Sequence, residues 1–167
     1  MNKIQTSVKE KPYITTPVAH LKTPPKHAIY EKSCGVVLFR IEKGERYYLL
    51  LHYPGGHWDF GKGHVELNEN EIETALREMK EETGISKITL LKDFRHKIDY
   101  YYRRERKLYH KDVIFFIGKT SEEKVKISHE HQGSTWLPYE EAMKELTFDN
   151  AQKLLKKAEN FLRKEDK

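Results

Sequence analysis

Cysteine is almost missing from this 167-residue chain: Cys34 is the only one. A single cysteine excludes an intramolecular disulfide and suits a reducing compartment. In the apolar run Cys34-Gly-Val-Val-Leu-Phe39 it reads as a small buried residue. Long hydrophobic runs are missing as well. No window is apolar enough to span a bilayer and the N-terminus lacks the apolar core of a secretory signal, so a soluble, cytoplasmic protein with no membrane contact is expected. Internal repeats are absent, and the length fits one domain with a normal core. Charge of one sign does not dominate either: Lys plus Arg number 31 against 26 Asp plus Glu, a net +5. That excess is compatible with a polyphosphate ligand but does not argue for nucleic acid.

What is present is unevenly distributed. Residues 1–28 are polar and broken by Pro12, Pro17, Pro24 and Pro25, which predicts an arm, extended or draped on a domain spanning 29–165. Apolar β-type runs at 33–40 and 46–52, separated by Lys43-Gly44, predict a hairpin. Further strands are expected near 87–103 and 110–118, where Asp112-Val-Ile-Phe-Phe-Ile-Gly118 suits a central strand. Thr135-Trp136-Leu137 reads as a short last strand, with Trp136 in the core. Pro138 opens a helix through about Glu145, and Asp149 caps another whose inner face carries Ala151, Leu154, Leu155, Ala158 and Phe161 or Leu162. The order predicts the α/β class, an α/β/α sandwich on a mixed sheet.

Between these strands lies an acidic helix. Asn68 is a good N-cap, with Glu71 three residues on as its capping-box partner. Ile72, Ala75, Leu76 and Met79 then form an apolar stripe, and Gly84 is placed to end the helix in a left-handed conformation. Glu78, Glu81 and Glu82 fall at i, i+3 and i+4, so they share an arc beside that stripe. Like charges at this spacing cost a few tenths of a kcal/mol. They also sit at the helix end where the macrodipole disfavours anions. A hard divalent cation, Mg²⁺ or Mn²⁺, offsets both penalties; the alternative is a solvated acidic face paired with Arg77 and Lys80.

The stretch Gly63-His-Val-Glu-Leu-Asn-Glu69, continuing to Arg77-Glu78-Met-Lys-Glu81-Glu82-Thr-Gly84-Ile85, resembles the Nudix box G-x5-E-x7-R-E-U-x-E-E-x-G-U at every fixed position. Its flanks are more specific. Trp58-Asp-Phe-Gly-Lys62-Gly63-His64-Val-Glu66 and Ser128-His129-Glu130-His131-Gln132, with Trp136-Leu137 and Glu140-Glu141-Ala142, are similar to segments of the diadenosine tetraphosphate hydrolases of the animal and archaeal type. The resemblance runs from about Ser33 to Leu162 and omits the arm.

It implies hydrolysis of a dinucleoside polyphosphate, diadenosine tetraphosphate to ATP and AMP; the oligomeric state is open, with a monomer favoured. Glu78, Glu81 and Glu82, with the Gly63 carbonyl, would hold the metal ions. Glu130 would be a further ligand or the base for the attacking water, and Arg77 would orient a box glutamate. Lys62, His64 and Lys111 would face the polyphosphate, while Tyr100 and Phe161 would sandwich an adenine. Two departures stand out: Gly61 replaces the usual proline, and Leu67-Asn68 replaces Pro-Gly. Plainer alternatives remain for some residues. Tyr100-Tyr101-Tyr102-Arg103-Arg104 also fits an exposed hairpin, Phe161 fits core packing, and His129 and His131 lack the partners a zinc site needs. Two other functions compete: an RNA 5′ pyrophosphohydrolase, whose basic hairpin and arm would contact a strand, and a nucleotide-sensing module, which an intact box disfavours.

Overall fold

The computed structural model describes Pro25 and residues 27–167, so most of the expected arm lies outside the described residues. The predicted hairpin forms. β1 (Ile29–Glu42) and β2 (Glu45–His52) pair antiparallel from Phe39–Tyr48 to Glu42–Glu45. The turn needs two left-handed residues in succession, and Lys43 (φ 50°) and Gly44 (φ 81°) supply them. β1 begins four residues earlier than its apolar run, because Ile29 to Phe39 pair in parallel with Tyr109 to Lys119 of β7 (Lys107–Lys119). The rest of the sheet is β3 (Trp58–Asp59) and β8 (Gly133–Pro138) on β2, β4 (Lys62–His64) on β1, and β5 (Thr89–Leu90) and β6 (His96–Arg104) on β7. The strand region expected near 87–103 holds two strands, separated by a turn in which Asp93 takes φ 65°.

Side chains alternate across a strand, so β1 and β7 feed two cores. Val37, Phe39, Val113, Phe115 and Ile117 meet Ala142 of α2 (Tyr139–Glu145) and Leu154, Leu155, Ala158 and Leu162 of α3 (Asp149–Glu165). Cys34, Val36, Leu38, Ile114 and Phe116 meet Ala75 and Met79 of α1 (Glu71–Thr83) on the other face. This is the expected α/β/α sandwich on a mixed sheet. Met79 is 1% exposed, a burial that contributes about 1.5–3 kcal/mol. Cys34 is fully buried, and burial pushes its thiol up to about 11, which makes it inert.

Two helix starts differ from the sequence reading. The cap of α1 is Asn70, not Asn68, and its capping-box partner is Glu73 rather than Glu71: Asn70 Oδ1 accepts from Glu73 N, and Glu73 Oε2 from Asn70 N, both at 2.9 Å. Asn68 takes a left-handed turn (φ 67°) instead. The buried stripe of α1 is accordingly Thr74, Ala75, Met79, Glu82 and Thr83, while Ile72 is 48% exposed. At α3 the cap is Phe148 and Asp149 is already helical. The Gly84 C-cap is as expected, with φ 73° and its N–H donated to the Lys80 carbonyl.

Candidate active site

The sheet divides at β1. One edge of that strand pairs first with β4 (Ser33–His64, Cys34–Gly63, Gly35–Lys62) and only later with β2. Cross-strand partners share a face, so the three residues of β4 serve different sides. Gly63 belongs with Cys34 to the α1 side, and Lys62 and His64 belong with Gly35 and Ser33 to the side of α2 and α3.

On the α1 side, Gly63 lies directly beneath Glu78. A Cβ on Gly63 would come within 1.9 Å of Glu78 Cδ, so only glycine allows this approach of carboxylate to backbone. Glu82 is 3% exposed and fills the space behind Gly61, where a Cβ would stand 2.8 Å from its Oε2. That oxygen has no hydrogen-bond partner. Burial pushes the Glu82 carboxyl well above its ordinary range and the charge of Glu78 adds to it. Burial also raises Glu78, against the opposing pull of Arg77. Arg77 ties the loop to the helix: its guanidinium bonds both Glu69 oxygens, Glu78 at 2.8 Å, Glu81 at 3.1 Å and the His64 carbonyl at 2.9 Å. Glu81 is the exposed member of the three, with 58% of its side chain open.

Glu130 comes from the turn before β8 and raises the carboxyls of Glu78 and Glu82 electrostatically. The turn is fastened to the C-terminal end of α1 by Ser128 N to the Glu82 carbonyl (3.1 Å) and Lys126 N to the Thr83 carbonyl (2.8 Å). His131 is buried beside it, with Nε2 3.6 Å from Glu82 Oε1. Burial, helped by the charges of Lys62 and His57, lowers this imidazole to about 4, so the contact is no ion pair at neutral pH.

Lys62 leaves β4 on the opposite side, but its Nζ lies 2.6 Å from Asp59 Oδ2 and 4.9 Å from the centre of the Tyr53 ring, which packs with the α1-side core, and its charge reaches Glu82. Burial disfavours its charge, but Asp59 outweighs burial and the ammonium is held above its ordinary value. Tyr100 contributes to the same balance. It stands opposite Lys111 in the β6–β7 register, so these two share a face. His64 is exposed at the end of β4.

Phe161 is held by the core. Its ring meets Phe94, just before β6, edge-on at 5.4 Å, and packs against the core. The ring that α3 presents near Lys62 is Phe148, 38% exposed and 5.2 Å from His57, which stacks on Tyr53 at 4.7 Å. Asp59, Tyr53, His57 and Phe148 were not among the sequence candidates. Only Asp59, three residues before Lys62, carried a local signal.

Among the described residues no three His, Cys, Asp or Glu side chains form a preassembled metal cage. The donors nevertheless suit a hard cation: the set is carboxylate oxygen, and the buried Glu82 Oε2 lacks the partner that a divalent ion would give it. Nor does any described helix have the length and apolarity to cross a membrane.

A glutamate helix buried on one side of a split sheet, with a glycine strand under its carboxylates, defines a class, and residues 30–158 match the family model described as the NUDIX domain: the chain belongs to the Nudix family. That family's hydrolases generally require divalent cations. Within it, the chain is 36% identical over 143 residues to the mouse bis(5′-nucleosyl)-tetraphosphatase [asymmetrical], covering 78% of this chain and 95% of that protein. It is 36% identical over 136 residues to the Caenorhabditis elegans protein of the same name, covering 78% and 96%. The crystal structure of a C. elegans Ap4A hydrolase binary complex superposes with a TM-score of 0.71 at 35% identity, covering 80% of this chain and 98% of that one.

Proposed function

We propose that this chain hydrolyses dinucleoside polyphosphates, diadenosine tetraphosphate foremost, to ATP and AMP, using Mg²⁺ or Mn²⁺, as a cytoplasmic monomer. The observation that carries the reading is the buried Glu82 carboxylate, which has an unpartnered oxygen and a second carboxylate, Glu78, seated on Gly63 beside it. The similarity to asymmetrical tetraphosphatases over nearly their full length supports the choice of substrate.

Glu78, Glu81, Glu82, Glu130 and the Gly63 carbonyl would hold the cation. Bound there, it neutralises phosphate oxygens and makes water a better nucleophile at neutral pH. Glu130, on its tethered turn, accepts a proton from the attacking water. Arg77 touches no substrate; it positions Glu78 and fixes the His64 carbonyl. Lys62, His64 and Lys111 bind the polyphosphate from the other side of β4. Because Lys62 starts on Asp59, its ammonium is already aimed and loses little freedom when phosphate arrives. Tyr100 stacks on an adenine, with Phe148 rather than Phe161 as the second ring.

One base pocket and one carboxylate cluster, fixed apart, put water at a set distance along the phosphate chain. Attack at the phosphorus furthest from the held adenosine leaves ATP on the bound side. Hydrolysis in ¹⁸O-labelled water tests this: the label is expected in AMP. Label in ATP, or two molecules of ADP, contradicts it. Absence of turnover with Mg²⁺ or Mn²⁺ would make the chain a nucleotide-binding module.

A further inference from the structure

Between β6 and α3 runs a groove with a cavity volume of about 460 Å³, separate from the carboxylates, which lie on the α1 face. His96 and Lys97 form one wall, and Asn150, Lys153, Lys157 and Asn160 the other, with Lys156 at the rim. On α3 those four recur at i, i+3, i+7 and i+10, one stripe roughly 15 Å long. Some cations of the folded domain close on carboxylates, as with Arg46 on Glu159, Arg95 on Glu71 and Lys62 on Asp59. Lys153, Lys156 and Lys157 are exposed and, among the described residues, reach no carboxylate. Lys97 lies 3.6 Å from Asp112, and the one acid of the lining, Asp99, lies 3.5 Å from His110. Three lysines at i, i+3 and i+4 repel one another.

We infer that this groove is a docking surface for the sugar–phosphate backbone of single-stranded RNA. The cations are strung along a line rather than converging on a point, which suits a linear polyanion and not a single phosphate. The groove walls offer amides and ammonium groups, with only the His96 ring as a stacking surface, so the contacts go to phosphates and sugars rather than to bases. Asn150 and Asn160 supply both donors and acceptors, as a 2′-hydroxyl requires and as inorganic polyphosphate does not. Ile98 at the head of the groove is two residues from Tyr100 on the same face of β6, so a bound strand would begin beside the Lys62 end of the domain. Burial, followed by the charge of Lys157, holds His96 below its ordinary value, in keeping with a positive groove.

The test is fluorescence anisotropy with a 3′-labelled, 5′-hydroxyl single-stranded RNA and no divalent metal, comparing the protein with its Lys153→Ala/Lys156→Ala/Lys157→Ala variant. The 5′-hydroxyl end offers the carboxylate site nothing to cleave, so failure of the hydrolase reading leaves this result untouched. The variant should bind at least about tenfold more weakly, and its log–log salt slope should fall by about 2, as loss of three phosphate contacts demands. Its hydrolysis of diadenosine tetraphosphate should match that of the unaltered protein. No RNA binding by the unaltered protein, or equal affinity and slope in the two proteins, overturns the inference. So does competition by single-stranded DNA or inorganic polyphosphate as effective as that by RNA, per phosphate.

Discussion

Two glutamates are buried among the described residues, and they are treated in opposite ways. Glu159 of α3 is 6% exposed and Glu82 of α1 is 3% exposed. Around Glu159 the fold supplies donors: Arg46 bonds both oxygens at 3.1 and 3.3 Å, Arg163 donates at 2.7 Å, and the Tyr48 hydroxyl bonds it as well. Burial pushes that carboxyl up, but these donors outweigh burial and hold it below its ordinary value. Around Glu82 the fold supplies the charges of Glu78 and Glu130 and an uncharged histidine, against one backbone N–H and the ammonium of Lys62, and it leaves one carboxylate oxygen without a partner. A buried polar atom without a hydrogen bond costs about 1–3 kcal/mol. The comparison separates a carboxylate that holds the fold together from one that the fold keeps ready for a ligand.

Substitution should break the two sites differently. Glu82→Gln removes a cation ligand and a buried charge together, so turnover should fall by about 10²–10⁴-fold while the thermal midpoint of the metal-free protein stays level or rises. Steady-state kinetics beside a melting curve reads both, and a midpoint that falls with activity would make Glu82 structural. Glu159→Gln should do the reverse. Arg163 loses its counter-charge and Arg46 keeps only the exposed Asp166, so stability should drop by about 3–5 kcal/mol in urea unfolding, and activity per folded molecule should be retained.

Smaller effects sharpen the picture of β4. Gly61→Ala places a methyl 2.8 Å from Glu82 Oε2, so it should lower kcat with little change in KM; an unchanged kcat would mean that Glu82 has room to move. Tyr100→Ala should chiefly raise KM for adenine dinucleotides, by the equivalent of about 1–3 kcal/mol, because stacking is the same before and during the chemistry.

Protonation gives the comparison a sign. The Glu82 carboxyl is raised in the folded state, so its share of stability is complete below the unfolded value near 4.5 and is lost as pH rises through the folded value. The Glu159 carboxyl is lowered, so its share is present above 4.5 and is lost as pH falls through the folded value. Melting curves of metal-free protein from acid to mildly alkaline pH should therefore show Glu82→Gln flattening the alkaline side and Glu159→Gln flattening the acid side.

How much of this was legible in the sequence depends on distance along the chain. Glu78, Glu81, Glu82 and Gly84 lie within one helix, and helical spacing alone put the three acids on one arc. The turn at Lys43-Gly44 and the apolar run from Val113 to Ile117 were equally local. The alternate duties of Lys62 and Gly63 were not, because they depend on pairing with Gly35 and Cys34. Neither was the Glu82 setting, which needs Gly61 and His131 to arrive from either side. Asn68 and Asn70 are the same residue type two positions apart, and only the left-handed backbone at Asn68 decides between them. Phe161 carried an apolar stripe position that suits core or ligand alike; the direction of α3 along β6 sets it beside Phe94 and leaves Phe148 at the Lys62 end.

The central claim is that the Glu82 Oε2 oxygen is kept unpartnered for a cation, and metal-dependent melting tests it most directly. Mg²⁺ or Mn²⁺ added at mildly alkaline pH, without substrate, should raise the midpoint of the unaltered protein in a saturable way, since a ligand that binds only the folded state stabilises it by mass action. The same titration on Glu82→Gln should give little or no shift. An equal shift in both proteins would place the cation elsewhere and contradict the account.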